Sequence, residues 1–112
     1  MPRKRLKILI QESKVEQALN YLASTDESCA KAKGLVKAIE YRLKVAKAMD
    51  FLAASGTVAE REAQSLASMS YREMVDQYES AVIEFETIAA KRERAVLTVE
   101  VWRSESANRR KG

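Results

Sequence analysis

The side chains with chemistry to offer in this 112-residue chain are its cations: 20 Lys and Arg, set in clusters, with no histidine and a single cysteine beside them. Clustered ammonium and guanidinium groups neutralise phosphates and release the counterions condensed on a polyanion, which gives sequence-independent, salt-sensitive binding. One cluster is an N-terminal arm of Arg3, Lys4, Arg5 and Lys7. A second lies late in the chain, Lys91, Arg92, Arg94 and Arg103, followed by Arg109, Arg110 and Lys111. Lys37, Lys44 and Lys47, with Lys33 nearby, make a third basic group. Trp102, next to Arg103, either stacks on an unpaired base or packs against a neighbouring helix.

Other chemistries lack their residue types. Without histidine there is no zinc-finger ligand set, no Ser/His or Cys/His nucleophile and no Glu-x-x-His pair for a di-metal bundle. Gly34 and Gly56 stand alone, so there is no glycine-rich phosphate loop. Carboxylate pairs such as Glu60/Glu62, Asp76/Glu79 and Glu84/Glu86 sit among polar residues, without the buried pocket that shifts a catalytic pKa. The expectation is a protein that is not an enzyme and uses no cofactor and no metal. One cysteine forms no disulfide framework, and Cys29 falls on an apolar helical face, where it reads as core. The apolar run Ile8-Leu9-Ile10 is too short for a signal-peptide core, and no stretch approaches the ~18 apolar residues of a membrane span. A cytoplasmic location with no membrane partner is expected.

The elements that must position these groups are helices, because one Pro and three Gly leave few places where a helix has to stop. Ser13-Lys-Val-Glu16 reads as a capping box opening a short helix over 13–24, with Val15, Ala18, Leu19 and Leu22 on one face. Thr25-Asp26-Glu27-Ser28 offers new capping side chains, so a second helix is expected over 26–54, with Cys29, Ala32, Val36, Ile39, Leu43 and Ala46 along one stripe. Gly34, inside it, reads as a point of close helix packing, and Ser55-Gly56 closes it. Thr57-Val-Ala-Glu60 is a second capping box, from which a long helix is expected over 58–104.

On that long helix Ala67, Tyr71, Met74, Tyr78, Ala81, Phe85, Ile88, Arg92, Ala95, Val99 and Trp102 alternate steps of four and three, the spacing of a coiled-coil seam. The seam serves either the hairpin or a subunit contact. Arg92, its polar member, either fixes register or faces a bound anion. Residues 1–12 read as a basic arm and 105–112 as a frayed basic tail. The predicted fold is all-α in a single domain: a helical hairpin with a long C-terminal helix, a short N-terminal helix and a thin, alanine-rich core completed by oligomerisation.

The net charge of +4 conceals a pattern, since residues 1–47 carry +6, residues 48–86 carry −6 and residues 87–112 carry +4. A hairpin turning at Gly56 would lay Lys37, Lys44 and Lys47 opposite Glu60, Glu62, Glu73, Asp76 and Glu79. These lysines therefore either pair within the chain or add to a polyanion-binding groove. The arm and the late cluster have no such acidic partner.

The stretch from Tyr21 to Arg103 resembles the phage recombination mediators of the UvsY type, above all between Ala38 and Gly56. The elements that carry the resemblance are Tyr21-Leu22, Ile39-Glu40, Lys44-Val45-Ala46 and Ser55-Gly56, with a long helix after them. The resemblance implies an oligomeric helical protein that binds single-stranded DNA and helps load a RecA-type recombinase onto strands coated by a single-strand-binding protein. Lys44 matches the family pattern, whereas the basic positions shortly after it face Ala48 and Asp50 here, so that contact does not carry over. The expected function is a single-stranded DNA-binding accessory factor that forms a homo-oligomer. The alternative is a coiled-coil interaction or scaffold protein that binds no nucleic acid.

Overall fold

The computed structural model describes residues 10–111, and these form three helices and no strand: α1 Glu12–Ala53, α2 Val58–Ala67 and α3 Met69–Lys111. The all-α class is as expected, while the element boundaries differ in four places.

The predicted short and second helices are one continuous helix of 42 residues. The hydroxyls at 24–28, read as caps, instead bond back to the preceding turn: Thr25 Oγ1 donates to the Tyr21 carbonyl at 2.7 Å and Ser28 Oγ to the Thr25 carbonyl at 3.2 Å. A hydroxyl satisfied in this way leaves the backbone ladder intact. The seam spacing also runs without interruption through this stretch, as Val15, Ala18, Leu22, Thr25, Cys29, Ala32, Val36, Ile39, Leu43, Ala46 and Asp50, all of them buried or half-buried. At the start of α1 the Gln11 carbonyl accepts from the Lys14 and Val15 N–H groups. Ser13 therefore lies inside the first turn and does not cap it.

The predicted long helix breaks once, at Ser68, which is extended at φ −68°, ψ 150°. Its side chain works on both neighbours, donating to Asp50 Oδ2 on α1 and accepting from the Tyr71 N–H at 3.1 Å, so it caps α3 as it ends α2. The other end of α3 continues through the predicted frayed tail to Lys111.

Gly56 and Thr57 form the corner before α2. Gly56 has φ +111°, and a Cβ there would meet the Glu60 carboxylate at 2.8 Å, so both conformation and space require glycine. The capping box is complete: Thr57 Oγ1 accepts from the Glu60 N–H at 3.2 Å and Glu60 Oε1 accepts from the Thr57 N–H at 2.8 Å. Gly34, by contrast, has nothing among the described residues within 4 Å of where its Cβ would lie, so the expected close packing is not formed among them.

The chain divides into two compact units, Met1–Cys29 with Thr87–Gly112, and Ala30–Glu86. In the first unit the early part of α1 runs antiparallel to the late part of α3, with the Ile10 N–H donating to Glu105 Oε1 at 2.9 Å and Val15, Ala18 and Ala95 buried between them. In the second unit the later part of α1 and the early part of α3 bury Ala32, Ile39 and Ala81. There Tyr78 Oη donates to Glu40 Oε2 at 3.1 Å, and α2 is pinned by the fully buried Ser65, whose Oγ donates to the Lys47 carbonyl at 2.8 Å. Among the described residues four of the six buried apolar side chains are alanine, so the helices gain close approach and give up apolar volume.

Candidate functional site

The predicted polyanion-binding residues fall into four groups. Arg3, Lys4, Arg5 and Lys7 lie outside the described residues. Lys37, Lys44 and Lys47 are exposed on α1 in the second unit, and among the described residues no carboxylate within 4.0 Å pairs with them. The intrachain pairing with the acidic first half of the long helix is therefore not formed. Lys91, Arg94 and Arg103 are exposed on α3 in the first unit, also without a described carboxylate partner.

Arg92 is engaged within the chain. Its Nη1 donates to the Leu22 carbonyl at 2.8 Å and to Thr25 Oγ1 at 2.7 Å, and its Nη2 donates to Asp26 Oδ1 at 2.7 Å. With its side chain 23% exposed and its donors turned onto α1, it joins the two helices across the seam. The spacing placed it in the seam, and the local basic cluster gave no sign that Thr25 and Asp26 would face it.

Tyr71, Met74, Tyr78, Phe85, Ile88, Val99 and Trp102 are half-buried along α3, and Tyr78 meets α1 through Glu40. Tyr78 keeps its proton above the ordinary phenol value because its hydroxyl donates to the Glu40 carboxylate, whose charge adds to the effect.

Shallow grooves mark the surface of the described residues, with volumes of about 410 to 450 Å³, so their linings and not their sizes tell them apart. Two belong to the first unit and both are cationic with one aromatic. In one, Lys14, Gln17 and Tyr21 of α1 face Lys91, Arg94 and Thr98 of α3. In the other, Trp102 lies with Arg103, Ser106, Arg109 and Arg110. Arg109 Nη2 donates to the Ser106 hydroxyl at 3.4 Å.

Tyr21 and Lys14 belong to this surface without having been singled out as site residues from sequence. The signal that could have found them is the seam frame: Lys14 and Tyr21, seven apart, and Lys91 and Thr98, seven apart, each flank the seam on the same side of their helix. That frame was obscured by the break expected near residue 25.

The arrangement offers flat π faces beside unpaired cations, suited to a base and its phosphate. Carboxylates are absent from both linings. Among the described residues, no group of three or more Cys, Asp or Glu side chains is placed to hold a metal ion, and no helix is long and apolar enough to cross a membrane. In comparisons with protein-family models, curated proteins and solved structures, none matches the chain.

Proposed function

We propose that the protein is a non-enzymatic single-stranded DNA-binding accessory factor, acting through the two cationic grooves of its first unit. The observation that carries this reading is the pairing of one aromatic side chain with unneutralised cations in each groove: Tyr21 with Lys14, Lys91 and Arg94, and Trp102 with Arg103, Arg109 and Arg110. Phosphate contacts supply salt-dependent affinity, and aromatic faces take unpaired bases, which a duplex keeps stacked. The finer role, loading a RecA-type recombinase onto strands coated by a single-strand-binding protein, is supported by the sequence resemblance between Ala38 and Gly56.

Oligo(dT) titration tests the reading. Six groove cations, each contributing about 0.7 to the salt slope, give a slope near −4 and a loss on the order of 100-fold in affinity from about 50 to about 200 mM salt. Replacing Lys91 and Arg94 together with Ala should reduce that slope by about 1.4. Trp102, the single tryptophan, should lose fluorescence as the strand binds. Affinity that does not change with salt, or equal affinity for duplex, would overturn the proposal.

A second reading, a coiled-coil interaction protein without nucleic-acid binding, is favoured by the apolar side chains exposed in the second unit, such as Tyr41, Met49 and Leu52. It requires that oligo(dT) leave mobility and fluorescence unchanged.

A further inference from the structure

In the second unit the side of α1 opposite the seam is both basic and apolar. Lys37, Tyr41, Lys44, Ala48 and Leu52 recur at steps of four, three, four and four, half a turn round the helix from the buried Ile39 and the half-buried Leu43 and Ala46. All five are exposed, Tyr41 by 69% and Leu52 by 78%. Between residues 33 and 47 the cations Lys33, Lys37, Arg42, Lys44 and Lys47 stand against a single carboxylate, Glu40, which already accepts from the Tyr78 hydroxyl. Among the described residues no carboxylate within 4.0 Å pairs with Lys37, Lys44 or Lys47, so this side keeps its positive charge.

Where α2 comes alongside, the same side becomes a groove of about 420 Å³. Its α1 wall is Lys44, Lys47, Ala48, Phe51 and Leu52, and its α2 wall presents Glu62. The two walls are fixed to each other, because Arg61 of α2 lies over the Phe51 ring, 5.9 Å from its centroid, and Ser65 donates to the Lys47 carbonyl.

These linings narrow what fits. A nucleic-acid strand brings a negative charge with every nucleotide and would meet Glu62 here, whereas the two grooves of the first unit hold no carboxylate. A lipid surface has no side chain to enter a groove walled by two helices. An amphipathic helix suits both features. Its apolar side chains enter beside Ala48, Phe51 and Leu52, its carboxylates line the flank toward the lysines, and its other flank, toward Glu62, carries none. From Lys37 to Leu52 the face is about 22 Å long, roughly four helical turns, enough to seat such a helix.

We propose that this side of α1, with its α2 groove, is a docking surface for an acidic amphipathic helix of another protein, its carboxylates set against Lys37, Lys44 and Lys47 and an apolar side chain seated among Ala48, Phe51 and Leu52. The surface is independent of the DNA reading, because it lies in a different unit and uses none of the cations of the two first-unit grooves.

The test is fluorescence anisotropy on the full chain with two labelled synthetic peptides of about four helical turns. Both carry Leu at heptad a and d positions; one carries Glu at the flanking e and g positions and the other Lys. The wild type should bind the Glu peptide at least tenfold more tightly than the Lys peptide. Lys44→Glu with Lys47→Glu should invert that order while keeping helical circular dichroism. Tyr41→Ala with Leu52→Ala, at exposed positions that leave the charges in place, should weaken the Glu peptide by tenfold or more, so the matter is decided even if the charge reversal does not fold. Excess oligo(dT) or phosphatidylglycerol vesicles should leave the Glu peptide bound. No binding of the Glu peptide, equal binding of the two peptides, or no inversion in a folded reversal variant would each overturn the proposal. So would displacement by oligo(dT), which would make this a nucleic-acid surface, by the vesicles, which would make it a membrane surface, or a wild-type assembly that the Glu peptide disperses, which would make its occupant a second copy.

Discussion

Arg92 occupies a position where the heptad spacing calls for an apolar side chain, and its three hydrogen bonds to Leu22, Thr25 and Asp26 explain how it is tolerated there. Its Asp26 partner is 71% exposed, so the ion pair is largely solvated and much of its value lies in fixing which turn of α1 meets which turn of α3. Two basic neighbours, Lys91 and Arg94, point to a different duty, lining a groove on the same stretch of helix. The three residues should therefore separate by experiment. Arg92→Ala should cost about 1 to 2 kcal/mol of unfolding free energy, from lost hydrogen bonds to a half-buried guanidinium, and change oligo(dT) affinity less than threefold. Lys91→Ala with Arg94→Ala should show the reverse, little loss of stability and at least a tenfold loss of affinity. Urea unfolding and anisotropy titration on the same preparations read both quantities. A tenfold affinity loss in Arg92→Ala without unfolding would place it on the nucleic-acid surface.

At the scale of elements, the residues that end helices were legible only where one local interaction decides the outcome. Gly56 and the Thr57/Glu60 capping box satisfy each other within five residues, and the corner they predict is the corner observed. Ser68 and Thr25 went the other way for a shared reason: a hydroxyl can cap a helix or bond back along it, and which it does depends on a residue far away in sequence. Asp50, 18 residues before Ser68, holds that serine in its cap, while Arg92 is among the partners of Thr25 within a continuous helix. The candidate site was legible to a similar degree. Its late cations are plain in the sequence, but Lys14 and Tyr21 join them only once α1 is known to be unbroken. The capping box also yields a pH dependence. The Thr57 backbone N–H, and then its hydroxyl, hold the Glu60 carboxyl below its ordinary value of 4.5. A lowered folded-state pKa means that the stabilisation is present above about 4.5 and is lost as pH falls through the folded value. The thermal midpoint of wild type should thus exceed that of Glu60→Ala by more at pH 7 than at pH 3. An equal gap at both would mean that the charge on Glu60 contributes nothing to the corner.

For the molecule as a whole, the charge blocks and the fold are largely separate matters. The pattern of +6, −6 and +4 invited a hairpin stitched by ion pairs, yet among the described residues Lys37, Lys44 and Lys47 have no carboxylate within 4.0 Å. What holds each unit is its apolar seam, the buried alanines and a few hydrogen bonds such as those of Ser65 and Tyr78. Exposed charges that form no close pair add roughly nothing to stability, and even a formed surface pair adds only about 0 to 1 kcal/mol. Salt should therefore act on two properties very differently. Screening shortens the reach of charge to about 8 Å near physiological ionic strength, which strips affinity from a phosphate-binding surface but leaves apolar packing alone. Raising NaCl from about 50 to about 200 mM should lower oligo(dT) affinity on the order of 100-fold. The thermal midpoint at constant protein concentration should move by less than about 4 °C, the shift that roughly 0.5 to 1 kcal/mol produces in a chain this size. Calorimetry beside the anisotropy series measures the two together. A midpoint that fell steeply with the affinity would mean that the segregated charges hold the fold together, and that fewer of them are free for a polyanion.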